Sequence, residues 1–175
     1  MAKLSPTIRE ALSLQYAHEV ANSLKYRYRQ SWAEFRGLNG CAKYFAREAD
    51  GEMGHANMVA AYLFERNEEL QVKDIPNSEL PLVEFVSVFQ STYELELGTT
   101  ELVKGILALA RAEGDFQTEQ WLFKPDGLLA IQTGEENEIQ TILDRIGQYK
   151  INGLEPEEMG EMIHQIDAWI AEGLE

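Results

Sequence analysis

Four stretches of this chain carry large apolar side chains every three or four residues, and in each a glutamate falls on the apolar stripe near its middle. That spacing is the helical period, so each stripe must be buried against other helices. A carboxylate on such a stripe is costly in a dry interior unless a partner offsets its charge. The chain is thereby confined to folds in which helices pack together and their inward acids meet something positive.

The first stretch opens at Ser5-Pro6-Thr7, with proline near the first helical position, and runs to Gly37. That predicts a helix of about thirty residues, or ~45 Å. The second begins just after Asn39-Gly40 and runs to about Asn67. From Glu68 to Leu80 no period is sustained, which predicts a long connection able to join two parallel helices. Pro81 is expected to open the third helix, which ends near Gly114. Asp115 can cap the fourth, which runs to about Tyr149 with a kink or break at Pro125-Asp126-Gly127. After Asn152-Gly153 a shorter amphipathic helix covers roughly Pro156 to Ala171. Two short-looped helix pairs joined by one long crossover describe an all-α four-helix bundle over about residues 6–150, with a short fifth helix over about 155–172. A single domain over 1–175 is expected, long enough to bury a core without disulfides.

The inward positions can be read helix by helix. Leu12, Glu19, Tyr26 and Ala33 follow a period of seven on the first, so Glu19 and Tyr26 share a face. On the second, Phe45, Glu48, Glu52, His55, Val59 and Tyr62 step by three or four. Glu96 lies among Phe85, Phe89, Tyr93, Val103 and Leu107 on the third. Leu128, Gln132, Glu135, Ile139, Ile142 and Ile146 mark the fourth. Singly, each glutamate is as ordinary as a solvated one; together, at compatible depths, they are not.

Four converging carboxylates, Glu19, Glu52, Glu96 and Glu135, would repel one another strongly, whereas two divalent cations balance their charge. Carboxylates with one imidazole suit a fairly hard ion such as Fe(II) or Mn(II), and the lack of thiolate ligands argues against structural zinc. The whole composition agrees with a cationic ligand. Thirty Asp plus Glu against fifteen Lys plus Arg give a formal charge of −15, which disfavours nucleic acid and anionic membranes. No stretch approaches the ~20 apolar residues needed to span a bilayer. With Cys41 as its single cysteine the chain cannot form an internal disulfide, and a reducing cytoplasm is the simpler setting.

Several motifs then resemble the non-haem ferritins: Gln15-x-x-x-Glu19 followed by Tyr26, Ala42-Lys43-Tyr44-Phe45 followed by Glu52-x-x-His55, Tyr93-x-x-Glu96, and Gln120-Trp121 with Gln132-x-x-Glu135. The resemblance covers about residues 8–150. It implies a ferritin-like fold, ferroxidase activity at a di-iron centre with O2 as oxidant, and storage of ferric mineral in a shell of twenty-four subunits. Under it Glu52 bridges two irons, Glu19 and His55 complete one position, and Glu96 with Glu135 completes the other. Gln132 would hydrogen-bond a water or an oxygen species. Glu48, one turn before Glu52, is a candidate further ligand, and Tyr26 or Trp121 a candidate electron donor. Asp115 and Glu119 would fall near the acidic pore that admits iron.

Departures from the family pattern are also visible. The chain carries an insertion around Pro125 to Leu129, which puts the phase of Gln132 and Glu135 at stake. Gly51 and Gly134 replace acids that many ferritins carry, which argues against an auxiliary third iron site unless Glu48 stands in. Met53 follows Glu52 as the haem-ligating methionine does in bacterioferritins, but the second Glu-x-x-His of that group is absent, so haem is not expected. Two rivals remain at this point. One is a rubrerythrin-like di-iron oxidase or peroxidase, which would lack its usual rubredoxin cysteines. The other is a helical bundle that binds a partner through Met159, Met162, Ile166 and Trp169; in a ferritin shell the same stripe would pack between subunits.

Overall fold

A computed structural model of the chain describes residues 3–75, 81–82, 84–149 and 156–173. Among them run six helices and no strand: α1 (Pro6–Phe35), α2 (Asn39–Glu65), α3 (Phe85–Glu113), α4 (Phe116–Phe123), α5 (Leu128–Gln148) and α6 (Pro156–Ala171). Helices α4 and α5 together make the fourth bundle member, so the all-α, ferritin-like four-helix bundle with a short last helix is the observed architecture.

Local chemistry sets most helix ends. Ser5 caps α1 by accepting from the Ile8 amide at 3.1 Å, with Pro6 in the first turn. Gly37, at φ 71°, turns the chain between α1 and α2, and Gly114, at φ 70°, closes α3 in the left-handed conformation that glycine tolerates. Asp115 caps α4 by accepting from the Thr118 amide at 3.2 Å. Gly127 separates α4 from α5, and a Cβ there would lie 2.5 Å from the Leu122 carbonyl oxygen, so only glycine allows so tight a break. Two boundaries differ from expectation. Helix α2 starts at Asn39 rather than after Gly40, and α3 starts at Phe85 rather than Pro81, because Glu84 is still extended. Residues 76–80 and 150–155, where the rest of the crossover and Asn152-Gly153 fall, lie outside the described residues.

Helix α1 runs antiparallel to both α2 and α3. Ser23 reaches the Ala49 carbonyl across the first pair, while Asn22 meets Thr99 and Arg29 meets Ser91 across the second. Helices α2 and α3 are consequently parallel, as the long crossover requires. Its first half is tied down along α1. Glu68 pairs with Arg9 at 3.2 Å, Lys73 with Glu10 at 2.6 Å, and the Gln71 amide donates to Ser13.

Two apolar clusters fill the bundle. One joins Tyr26, Phe45, Phe89, Ile139, Ile142 and Ile166, and the other joins Leu12, Val59, Leu63, Val103, Leu122 and Leu128. Along every bundle helix the buried residues between these clusters are polar or alanine, which places the inward glutamates in one layer across the middle. Helix α6 lays part of its apolar face on its own bundle. Ile166 and Ile170 are buried, and Met159, Met162 and Trp169 pack on the first cluster of the same chain. Asp167, on that face, accepts from the Gly40 and Cys41 amides at 3.1 and 2.7 Å and so caps α2, whose own N-cap residue Leu38 offers no side-chain acceptor. Gly40 permits this approach, since a Cβ there would meet the Asp167 carbonyl oxygen at 1.9 Å.

Candidate metal centre

The polar layer draws on all four bundle helices. Glu19 on α1, Glu52 and His55 on α2, Glu96 on α3 and Gln132 on α5 are all buried, and the Glu135 side chain keeps 16% of its surface exposed. Helical phase delivers them there: Leu12, Glu19, Tyr26 and Ala33 share the buried face of α1, as do Phe45, Glu52, His55, Val59 and Tyr62 on α2. Three of the side chains draw especially close. Glu19, Glu52 and His55 each offer a ligand atom, and these atoms all lie within 4.8 Å of one another.

Hydrogen bonds hold the outer oxygens and leave inner ones bare. Gln15 Nε2 donates to Glu19 Oε1 at 2.7 Å, and the Tyr26 hydroxyl donates to Glu96 Oε1. Gln132 Nε2 donates to Glu135 Oε2, while the Thr100 hydroxyl donates to the Glu136 carboxylate and lies 3.2 Å from Gln132 Oε1. Glu19 Oε2, Glu52 Oε1 and Glu96 Oε2 are buried with no hydrogen-bond partner. The imidazole is equally exposed to negative charge, with Glu52 Oε2 3.2 Å from Nδ1 and Glu135 Oε1 3.5 Å from Nε2. Clustered carboxylate oxygens and an imidazole nitrogen within 4.8 Å of one another are the donor set of a divalent cation such as iron, and the residues present fit that group.

Without a cation the layer must hold protons. Burial, then the facing Glu52 carboxylate, pushes Glu19 well above the usual carboxylate range. Burial and the charges of Glu96, Glu135 and Glu48 do the same to Glu52. Glu96 is pushed up to about 7 by burial, against the opposing hydrogen bond from Tyr26. Glu135 reaches about 9 through burial and the neighbouring Glu96, Glu48 and Glu19. Tyr26 itself is held neutral by burial and by Glu96, so it donates and does not ionise. Cations entering here displace protons rather than meeting four free charges.

Other sequence-predicted residues are placed differently. Glu48 borders the layer, but its carboxylate pairs with Arg47 at 2.6 Å. Trp121 stacks on Tyr62 in the second apolar cluster, with ring centroids 4.2 Å apart, whereas Tyr26 touches a layer carboxylate directly. Asp115 is bound by Arg66 at 3.0 Å and Glu119 by Arg111 at 2.8 Å, so both acids of the expected pore face a guanidinium within the chain. Sequence reasoning missed Thr100, Arg47 and Asp167. Asp167 alone carried a readable signal, an acid on the apolar face of its helix.

Antiparallel helices with one long crossover, enclosing a layer of inward carboxylates and one histidine, define a class: the helical bundle built around a carboxylate-histidine cluster. Within that class this chain belongs to the ferritin family, whose Ferritin-like domain profile matches residues 9–148. The bacterial non-heme ferritin of Bacteroides fragilis is 28% identical over 143 residues, covering 82% of this chain and 88% of that protein. The bacterial non-heme ferritin of Escherichia coli O157:H7 is 26% identical over 146 residues, with 82% and 85% covered. The open pore ferritin of the hyperthermophilic archaeon Archaeoglobus fulgidus superposes with a TM-score of 0.84 at 20% identity, over 97% of this chain and 98% of that one, a likeness of fold. Among the described residues no helix is long and apolar enough to cross a membrane.

Proposed function

We propose that this chain is an iron-storage ferritin subunit with ferroxidase activity, taking Fe(II) and O2 as substrates at an intra-bundle two-iron centre. Copies of the chain would assemble into a cytoplasmic shell of twenty-four that encloses the ferric product. The observation that carries this reading is the trio Glu19, Glu52 and His55, with its buried, unpartnered carboxylate oxygens. Membership of the ferritin family supports it.

In this reading Glu52, central to the layer, bridges the two metal positions. Glu19 and His55 serve one position, and Glu96 and Glu135 serve the other. Two bound Fe(II) ions supply one electron each to O2. The protein's part is geometry and protons. Gln15 fixes the rotamer of Glu19, Tyr26 fixes Glu96, and Gln132 holds Glu135 through its Nε2. The raised carboxyls give up their protons as the cations arrive, so each cation enters with little net change of charge. Tyr26, hydrogen-bonded to Glu96 and screened from solvent, is placed to act as a further electron donor.

The test is stopped-flow absorbance after aerobic Fe(II) addition to the assembled protein. A fast ferric phase is expected at a stoichiometry of about two irons per chain. Glu52→Ala should abolish that phase; an unchanged initial rate in the variant would remove this site from the reaction. Particle mass in solution tests the shell, since a small oligomer that still oxidises Fe(II) would favour a substrate oxidase over storage.

A further inference from the structure

Beside the glutamate layer, on the side where α2 meets α5, a permanent cation is built into the chain. Arg47 lies on α2, and its Nε and Nη2 both reach Glu48 Oε1, at 2.7 and 2.6 Å. The same Nη2 donates across to Glu138 on α5. The guanidinium carbon also lies 5.1 Å from the centroid of the Tyr44 ring, within cation-π range. Three anchors on two helices thus fix one positive charge, although 56% of the side chain is exposed.

The carboxylates that it joins belong electrically to the layer. Glu48 keeps only 11% of its side-chain surface exposed, and its charge is felt by Glu52, Glu96 and Glu135 alike. Glu138 acts on Glu135 and on Glu48. Six carboxylates therefore stand within mutual influence, where two divalent cations balance four. Arg47 provides a further positive charge by its side chain, between the two carboxylates left over.

We infer that Arg47 is a tethered counter-cation that occupies the place of a third metal ion between Glu48 and Glu138, and so limits the centre to two. The inference rests on the two-metal reading above. It makes Arg47 a positioning residue: it touches no reacting atom, holds Glu48 away from the inner trio, and opposes the approach of cations from this side by its charge. A merely structural bridge between α2 and α5 would behave otherwise, because its removal would loosen the layer and weaken metal binding.

The sign of the effect decides the matter, with Zn(II) as the probe on the assembled protein. Isothermal titration gives affinity and stoichiometry, and anomalous diffraction from Zn(II)-soaked crystals locates the ions. The parent should hold two ions per chain at the layer. Arg47→Gln should hold a third, ligated by Glu48 and Glu138, and should bind the first two roughly three- to tenfold more tightly at low ionic strength. Arg47→Lys, which keeps the charge, should keep the parent stoichiometry; a third ion in that variant would overturn the inference. So would two ions bound with unchanged or weaker affinity in Arg47→Gln, or a third ion that persists in Arg47→Gln/Glu138→Gln. A parent that takes no ion between Glu19, Glu52 and His55 would remove the two-metal reading and this inference with it, a result distinct from two ions in both proteins, which removes only the role of Arg47.

Discussion

The apolar ends of the bundle and the polar layer between them are equally buried, and they are built on opposite terms. At the ends, Phe45 stacks on Phe89 with centroids 5.4 Å apart, and Leu12, Val59 and Ile139 are wholly enclosed. These side chains meet partners of their own kind. In the layer, Glu19 and Glu52 face each other carboxyl to carboxyl, and Glu96 keeps an oxygen that no donor reaches. The ends supply the stability that allows the layer to remain unsatisfied until a cation arrives. Burial by itself thus says little about whether a residue stabilises the fold.

The contrast is most sharply broken by paired truncations. Phe45→Ala should cost about 3–5 kcal/mol of metal-free stability through the cavity it leaves. Glu52→Ala, at comparable burial, should leave metal-free stability unchanged or raised while abolishing the fast ferric phase. Chemical denaturation and stopped-flow absorbance measure the two effects. Equal destabilisation by both variants would mean that the layer is ordinary core.

Metal should reverse the deficit. Zn(II) in large excess over its dissociation constant should stabilise the parent by about 4 kcal/mol, since it binds the native state alone. A Glu19→Ala/His55→Ala variant should gain much less, as read by thermal unfolding. Identical shifts in the two proteins would place the ion elsewhere on this acidic chain.

pH sharpens the same comparison. Glu96 and Glu135 carry folded-state values of about 7 and about 9, above the ordinary 4.5, so the folded chain binds more protons than the unfolded one between those limits. The stabilising contribution of the protonated groups is complete below about pH 4.5 and is lost as pH rises through 7 and then 9. Metal-free stability should therefore fall by several kcal/mol from pH 5 to pH 9, and saturating Zn(II) should flatten the slope. A metal-free protein that grows more stable across that range would contradict the buried carboxylate layer.

The smallest effect belongs to the apolar end closed by α6. Asp167→Ala should cost about 1–2 kcal/mol by uncapping α2, with no change in Fe(II) oxidation rate per folded chain. A loss of the fast phase in that variant would show that α6 reaches the layer's function and not only its support.

The helices, their breaks at Gly37, Gly114 and Pro125-Asp126-Gly127, the local caps Ser5 and Asp115, and the inward direction of Glu19, Glu52, His55, Glu96 and Gln132 were legible in the sequence. All of these follow from the helical period and from contacts within a few residues, which backbone geometry fixes without reference to the rest of the chain. Even the break before α5 did not disturb the phase, because Leu128, Gln132, Ile139 and Ile142 keep one buried face. Only the tertiary structure decided that Glu19, Glu52 and His55 form the tight trio, that Glu135 approaches it through His55, and that Arg47 crosses to Glu138. The same holds for α6, which folds onto its own bundle and brings Asp167 to amides more than a hundred residues away. Such meetings depend on how deeply and at what angle helices pack, and that is set jointly by all the side chains between them rather than by any local pattern.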